Sequence, residues 1–183
     1  MEKEISDIDK KHYRMIRKNV SEFLERCGKQ YDGKDRLVLD IAPQDHEGAK
    51  AYFSQARVET LDIASESGAT YVADLCRNNS DIIPNERFDM IVCTEVLEHT
   101  LRPFDAVEEI RRLLKKGGKA FVTVPFNFRI HGPLPDCWRF SEHGIRSLFS
   151  RFDILSLDAL EDDDRWLMPV HYTVIVEKPF SIL

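Results

Sequence analysis

Only four of the 183 residues are cysteine, Cys27, Cys76, Cys93 and Cys137, and no two of them form a C-x-x-C pair. That scatter argues against a thiolate zinc cluster or a disulfide framework, and it fits free thiols in a reducing cytoplasm. No apolar run approaches the roughly 20 residues that cross a bilayer. The start, Met1 to Asp9, mixes charged and apolar residues and lacks the apolar stretch of a secretory signal, so a cytoplasmic protein without membrane attachment is expected. Cations are not in excess either: 26 Lys and Arg stand against 32 Asp and Glu, a formal charge of -6. Sequence-independent nucleic-acid affinity comes from clustered cations, so a broad nucleic-acid surface is disfavoured, although a local basic groove is not. A glycine-rich G-x-G-x-x-G turn is also missing after the first strand candidate, where Ala42, Gln44 and Glu47 stand. Helix-terminal N–H groups at such a turn would meet a pyrophosphate, and a carboxylate beside a diphosphate is repulsive, which disfavours a nicotinamide dinucleotide.

What is present reads as one globular domain. At roughly 150 residues per domain the length suits a single unit, and 43% apolar with 32% charged residues is an ordinary folded balance. Ile5, Ile8, Met15, Ile16, Phe23, Leu24 and Cys27 recur at near-helical spacing, predicting an amphipathic helix over about residues 4–26 that Gly28 and Gly33 terminate. Five apolar runs then predict strands at 37–41, 57–61, 71–73, 88–93 and 120–124, too apolar for half-exposed strands and suited to a covered parallel sheet. Between the last two, Pro103 opens a helix striped by Val107, Ile110, Leu113 and Leu114, closed by Lys115-Lys116-Gly117-Gly118. A helix near 141–149 and strands at 152–157 and 170–176 follow. The acids Glu161 to Asp164 read as a solvated loop, and no metal site is expected. Seven strands with interleaved helices make an α/β, three-layer, doubly wound domain. Only residues 62–70 separate the second and third strands, too few for a full crossover helix.

In such a sheet ligands bind beyond the carboxyl ends of the strands, where strand order reverses. The first strand ends Leu39-Asp40-Ile41-Ala42-Pro43; Asp62 follows the second, 22 positions beyond Asp40; Asp74 follows the third; the fourth runs into Cys93-Thr94-Glu95. A carboxylate at the second tip suits ribose hydroxyls.

The fourth strand and its continuation, Phe88-Asp89-Met90-Ile91-Val92-Cys93-Thr94-Glu95-Val96-Leu97-Glu98-His99, with Glu109-Ile110-Arg111-Arg112-Leu113-Leu114-Lys115-Lys116-Gly117-Gly118, resemble the class I S-adenosylmethionine-dependent methyltransferases, in particular the group with Leu-Glu-His after strand four. The likeness spans about residues 36–126. It implies a Rossmann-like methyltransferase fold with an antiparallel last strand. It divides 1–183 into an N-terminal helix (1–30), a cofactor-binding core (36–126), and a substrate loop with C-terminal strands (127–183). It implies S-adenosylmethionine as cofactor. Asp40, Ile41, Ala42 and Pro43 then surround the methionine end, with Asp40 assisting the ammonium. Asp62 holds the ribose, Asp74 the adenine amine, Ile63 and Leu75 flank the adenine, and Cys93, Thr94, Glu95 and His99 complete the site. The family's D-x-G-x-G is altered here to Ala42 and Gln44; alanine permits the tight turn while its φ stays negative, yet narrows the space for the methionine moiety.

After the fifth strand, Pro125 to Ser141 carries P-x-x-x-R-x-H-x-P-x-P-D-x-W-R-F, similar to family members that tailor glycans or natural products. His131 is the candidate general base, with His99 a second candidate, and Asp136 acts as base or orienter. Arg129 and Arg139 fix an anionic substrate or a loop carboxylate such as Asp136. Trp138 either meets substrate or locks the loop, while His12, His46, His143 and His171 have no convergent partners in sequence and read as surface or structural. The N-terminal helix is a lid over the cleft or a cover for the sheet. The resulting expectation is methyl transfer to oxygen or nitrogen of a small-molecule or saccharide-linked acceptor. The alternatives are a non-catalytic S-adenosylmethionine- or S-adenosylhomocysteine-binding partner or regulator, and, more weakly, a nucleic-acid or protein methyltransferase.

Overall fold

The computed structural model describes residues 5–43 and 48–180. Its elements are α1 (Asp7–Tyr31), β1 (Leu37–Ile41), β2 (Arg57–Asp62), β3 (Tyr71–Val72), β4 (Phe88–Thr94), α2 (Pro103–Leu113), β5 (Leu114–Pro125), α3 (Glu142–Leu148), β6 (Asp153–Leu160) and β7 (His171–Glu177). Two 3₁₀ turns, Gly48–Ala51 and Leu97–His99, complete the set. The strands form one sheet in the order β3-β2-β1-β4-β5-β7-β6. β1 to β5 pair in parallel, and β7 runs antiparallel to both β5 and β6. Strand order reverses between β1 and β4, which places the ligand-binding end of the sheet at their tips.

Side-chain alternation divides the core between two faces. Leu39, Ile41, Ile91, Cys93, Val122 and Val124 pack toward α2 and α3 with Val107, Ile110, Ile145 and Leu148. On the other face Val38, Met90, Val92 and Phe121 meet Ile16, Val20, Phe23, Leu24 and Cys27 of α1. Among the described residues the links between β1 and β2 and between β2 and β3 contain no α-helix, so α1 is the long helix of that face. The cover reading of α1 therefore holds, and the helix is required by the sheet. Its length differs from the sequence reading: the Ser6 hydroxyl caps it by accepting from Asp9 N (3.2 Å), and it runs on to Tyr31. Gly28 does not end it. A Cβ there would overlap the Tyr52 carbonyl oxygen, so this glycine lets the chain after the 3₁₀ turn lie against the helix.

The acidic run is also not simply a solvated loop. Asp162 is 3% exposed and accepts from Lys11 Nζ (2.7 Å) and His12 Nε2 (2.9 Å), tying the β6–β7 link to α1; these contacts, Lys11 first, hold its carboxyl down to about 2. His12 is thus a buried partner of that acid. β5 begins six residues before the expected Ala120, since the chain leaves α2 straight into extended backbone at Leu114. No helix among the described residues is long and apolar enough to cross a membrane.

Gly28→Ala tests the close approach of α1. Alanine raises intrinsic helix propensity by about 1 kcal/mol, yet overpacking against Tyr52 costs about 1–3 kcal/mol. Urea unfolding is expected to show net destabilisation, where a helix-ending or exposed glycine would show none.

Candidate functional site

A cleft of about 340 Å³ opens at the tips of β1 and β4, within the size range of small-molecule sites. Asp40, Ala42, Pro43, Gly48 and Ala49 form one wall, Val92, Thr94 and Glu95 another, and Arg17, Val20, Ser21 and Leu24 of α1 close the third. The helix therefore acts as a wall of the cleft as well as a cover of the sheet. Asp40 is 3% exposed and accepts from Ala49 N at 2.6 Å, so it organises the 3₁₀ turn that replaces a longer helix. Gly48 sits at φ +57, and a Cβ on it would strike the Asp40 carboxylate. Burial pushes Asp40 up to about 6, partly offset by the Ala49 N–H and Lys50. Ala42 has φ 50, so the condition under which alanine was read to permit the turn, a negative φ, is not met; the turn is held in the left-handed region without a glycine. Gln44, His46 and Glu47 lie outside the described residues.

Glu95 also sits in the left-handed region, at φ 55, and its backbone N–H reaches Thr123 O at 3.1 Å. Its Oε1 accepts from the Thr123 hydroxyl (2.9 Å) and from His171 Nε2 (2.6 Å), while Asn19 of α1 meets His171 Nδ1 at 2.9 Å. Burial works to raise the Glu95 pKa, but the His171 charge and hydrogen bond, together with Thr123, overcome it and hold the carboxyl below the usual glutamate range. His171 is fully buried. The sequence reading that it lacks partners is corrected: β7 pairs with β5 in antiparallel register, Pro125 facing His171, and that pairing carries the imidazole to the β4 tip. Asn19, Thr123 and Arg17 were likewise missed. The signal for Thr123 lay in the face shared by alternate residues of β5, which needs the strand pairing to be read; Arg17 and Asn19 lie on α1, where nothing in the sequence sets them apart from the helix's other polar residues.

The other expected cofactor residues fall into two sets. Ile41 and Cys93 face the α2 side of the sheet inside the core and are not among the residues that line the cleft. Asp62 and Asp74 stand at the neighbouring strand tips, outside the walls of the cleft. Each accepts a hydrogen bond from the backbone two residues on, Asp62 Oδ1 from Ala64 N and Asp74 Oδ1 from Cys76 N, both at 2.8 Å. Asp74 Oδ2 is 3.3 Å from the exposed Arg77. Ile63 is 72% exposed, whereas Leu75 is packed in the core.

The loop after β5 brings His99, His131, Asp136 and Arg139 together. The Asp136 side chain is fully buried and bidentate with Arg139 (2.6 and 2.7 Å), which with the His131 N–H holds its carboxyl far below the aspartate range. A carboxyl held in this way is a weak base, and its Oδ2 lies 3.1 Å from His131 Nδ1. Arg139 further donates to the carbonyls of Phe128, Arg129 and Trp138, so all five of its N–H groups are engaged within the loop and none is free for a substrate. Arg129 remains half-exposed, 3.8 Å from Asp9. Trp138 donates through Nε1 to Thr100 O (2.8 Å) and stacks near Phe140, the loop-locking role, while part of its ring stays exposed. His131 Nδ1 lies 3.1 Å from Asp136 and its ring meets that of His99 edge-on at 4.9 Å. His99 gives Nδ1 to Pro135 O (2.9 Å), which places it with the loop rather than with the cleft.

Comparison with known proteins bears on this arrangement. A family model described as a methyltransferase domain matches residues 11–173. A ubiquinone biosynthesis O-methyltransferase of Proteus mirabilis is 28% identical over 105 residues, 57% of this chain and 37% of that protein, so the match spans little more than a third of the relative's length. Among solved structures, a putative methyltransferase of Haloferax volcanii in complex with the Trm112 activator superposes with a TM-score of 0.69 at 14% identity, covering 94% of this chain and 95% of that one. A putative methyltransferase from Bacillus halodurans gives 0.65 at 14%, covering 87% and 99%. The [4+2]-cyclase SpnF gives 0.64 at 16%, covering 86% and 81%. At such identities these structures share the Rossmann-like methyltransferase fold.

Asp40 supplies a pH test. A carboxyl whose folded pKa is raised binds its proton more tightly folded than unfolded, so stability falls as pH rises from the unfolded value of 3.8 through about 6. Asp40→Asn keeps an acceptor for Ala49 N and is expected to remove that part of the decline, about 1–3 kcal/mol, in urea titrations at pH 4.5 and pH 7.

Proposed function

The chain belongs to the methyltransferase domain family, and on that premise we propose that it transfers a methyl group from S-adenosylmethionine to an oxygen or nitrogen of a small-molecule or saccharide-linked acceptor. The observation that carries this reading is the cleft at the point where strand order reverses, walled by Asp40, Thr94 and Glu95. That donor set suits a ligand bearing an ammonium and a sulfonium. Two acids and one exposed arginine, Arg17, would repel a diphosphate and attract a cation. When bound, S-adenosylmethionine supplies an electrophilic methyl on a positively charged sulfur.

The chain's own residues then take these roles. Asp40 and Glu95 face the cationic end; a bound cation keeps Asp40 ionised despite its burial. Ala42 and Pro43 border the same space. Asp62, with Oδ2 uncommitted among the described residues, accepts from the ribose hydroxyls. Asp74 accepts from the adenine amine, Ile63 covers the ring, and Leu75 backs it from the core. α1 excludes water from one side. On the acceptor side, His131, oriented by Asp136, removes the proton from an attacking hydroxyl, within an ordinary range of about 10²–10⁴-fold for such catalysis. His99 supports that imidazole edge-on, Arg139 holds the loop, and Arg129 and Trp138 are the exposed groups available to an acceptor.

The left-handed Ala42 favours one second reading, a protein that binds the cofactor without turnover. Acceptor-dependent formation of S-adenosylhomocysteine separates the two.

S-adenosylhomocysteine at 100 times its Kd is expected to stabilise the fold by about 2.7 kcal/mol, a rise of about 5–11 °C in Tm for a chain of this size. Asp62→Ala should abolish the rise; an unchanged rise would remove the ribose assignment. In turnover with small hydroxylated or glycosidic acceptors, His131→Ala should lower kcat by about 10²-fold or more and leave the thermal shift intact. Retained kcat would place the proton acceptor elsewhere.

A further inference from the structure

Glu98 is a carboxyl without a partner. Its side chain is fully buried, and neither oxygen makes a hydrogen bond within the described structure. Its backbone carbonyl, by contrast, accepts from Cys137 N (2.7 Å) and Trp138 N (3.1 Å), which fastens the loop after β5 over it. A buried carboxyl left unsatisfied is costly, and native structures keep one for a reason. Two imidazoles face it: His99 Nε2 at 3.8 Å and His131 Nε2 at 3.9 Å from Glu98 Oε1, too far for hydrogen bonds. One atom from each of the three residues lies within 4.8 Å of the others.

We propose that Glu98, His99 and His131 form a binding site for a divalent transition metal, with zinc as the representative ion. The other nitrogen of each ring supports this. His99 Nδ1 is held by the Pro135 carbonyl, the arrangement of a metal-ligating histidine, in which a carbonyl or carboxylate fixes one nitrogen while the other turns to the ion. His131 Nδ1 makes no hydrogen bond but lies 3.1 Å from the Asp136 carboxylate, within reach of the same arrangement. Ligands held at about 2.0–2.2 Å around one ion at tetrahedral angles stand about 3.3–3.6 Å apart. The two arms from Glu98, 3.8 and 3.9 Å, need to close by only a few tenths of an ångström, and the three ligand atoms together lie within 4.8 Å. Two imidazoles and one carboxylate suit zinc, manganese or iron, whereas magnesium and calcium prefer all-oxygen shells. Asp136 is unavailable as a fourth ligand because Arg139 holds both of its oxygens. A position therefore stays open, as at catalytic metal centres.

The role of the ion rests on the methyltransferase reading; the site itself does not. Glu98 lies three residues beyond Glu95, which walls the cleft, and an acceptor oxygen would take the open position. The ion would lower the pKa of that hydroxyl so that its proton passes to solvent water before attack; with the ion bound His131 Nε2 is a ligand, and direct proton removal by its imidazole belongs to the metal-free chain.

Isothermal titration of tag-free, chelator-stripped protein with ZnCl₂, MnCl₂ and MgCl₂ tests the site, with CoCl₂ absorption reporting the ligand set. One zinc per chain is expected, bound at least tenfold more tightly than magnesium, with imidazole-ligated cobalt bands. Glu98→Gln and His131→Gln should each remove the binding, and Asp136→Asn should weaken it by about 10–100-fold. Thermal shifts with S-adenosylhomocysteine check that each variant retains its fold. Absence of stoichiometric zinc binding to the wild-type chain, a preference for magnesium, or binding that survives both Gln variants overturns the proposal. Zinc binding without any shift from S-adenosylhomocysteine would uphold the site and overturn the cofactor assignment instead.

Discussion

The hydrogen-bonded line from Asn19 through His171 to Glu95 is the interaction on which the site depends. It joins α1, the antiparallel strand β7 and the tip of β4, three pieces distant in sequence. Its centre, His171, is fully buried, so that imidazole needs both neighbours. Glu95 sits in the left-handed region, a conformation that persists only where its surroundings enforce it. Thr123 and His171 provide that enforcement from β5 and β7. The strained turn aims a charged group into the cleft and starts the short 3₁₀ turn that carries Glu98 and His99.

A trimmed fold makes this line necessary. With only a 3₁₀ turn described between β1 and β2, one sheet face is covered mainly by a helix that precedes the first strand. Apolar contacts with Val38, Val92 and Phe121 hold that helix, and Lys11, His12 and Asn19 anchor it by polar bonds to Asp162 and His171. The same helix supplies Arg17, Val20, Ser21 and Leu24 to the cleft. Stability of the sheet and shape of the binding space are therefore carried by the same surface.

Much of the fold was legible in the residues, because covered parallel strands are written as apolar runs and α2 carries its own stop and start. The cleft was half legible. Asp40, Thr94 and Glu95 stand at strand tips, a position readable from sequence. His171 was not readable, since its partnership with Glu95 exists only once β7 has paired with β5 in antiparallel register. Cys93 lies in the same segment, but alternation along β4 turns its side chain into the other face of the core. Asp162 read as one solvated acid among four, and only tertiary contact with Lys11 and His12 distinguishes it. A pairing of Arg139 with Asp136 was one of two readings open in the sequence, beside an anionic substrate, and the five donors used inside the loop appear only in three dimensions. Fold alone does not fix chemistry, which is why the donor set of the cleft carries more weight here than the sheet.

The most direct measurement is the electron density of crystals grown with S-adenosylhomocysteine. The account predicts the ligand between α1 and the tips of β1 and β4, its amino-acid end beside Asp40 and its ribose against Asp62. Density placing the ligand elsewhere, or a cleft filled by the side chains of Arg17 and Tyr52 with Asp62 unliganded, would contradict it.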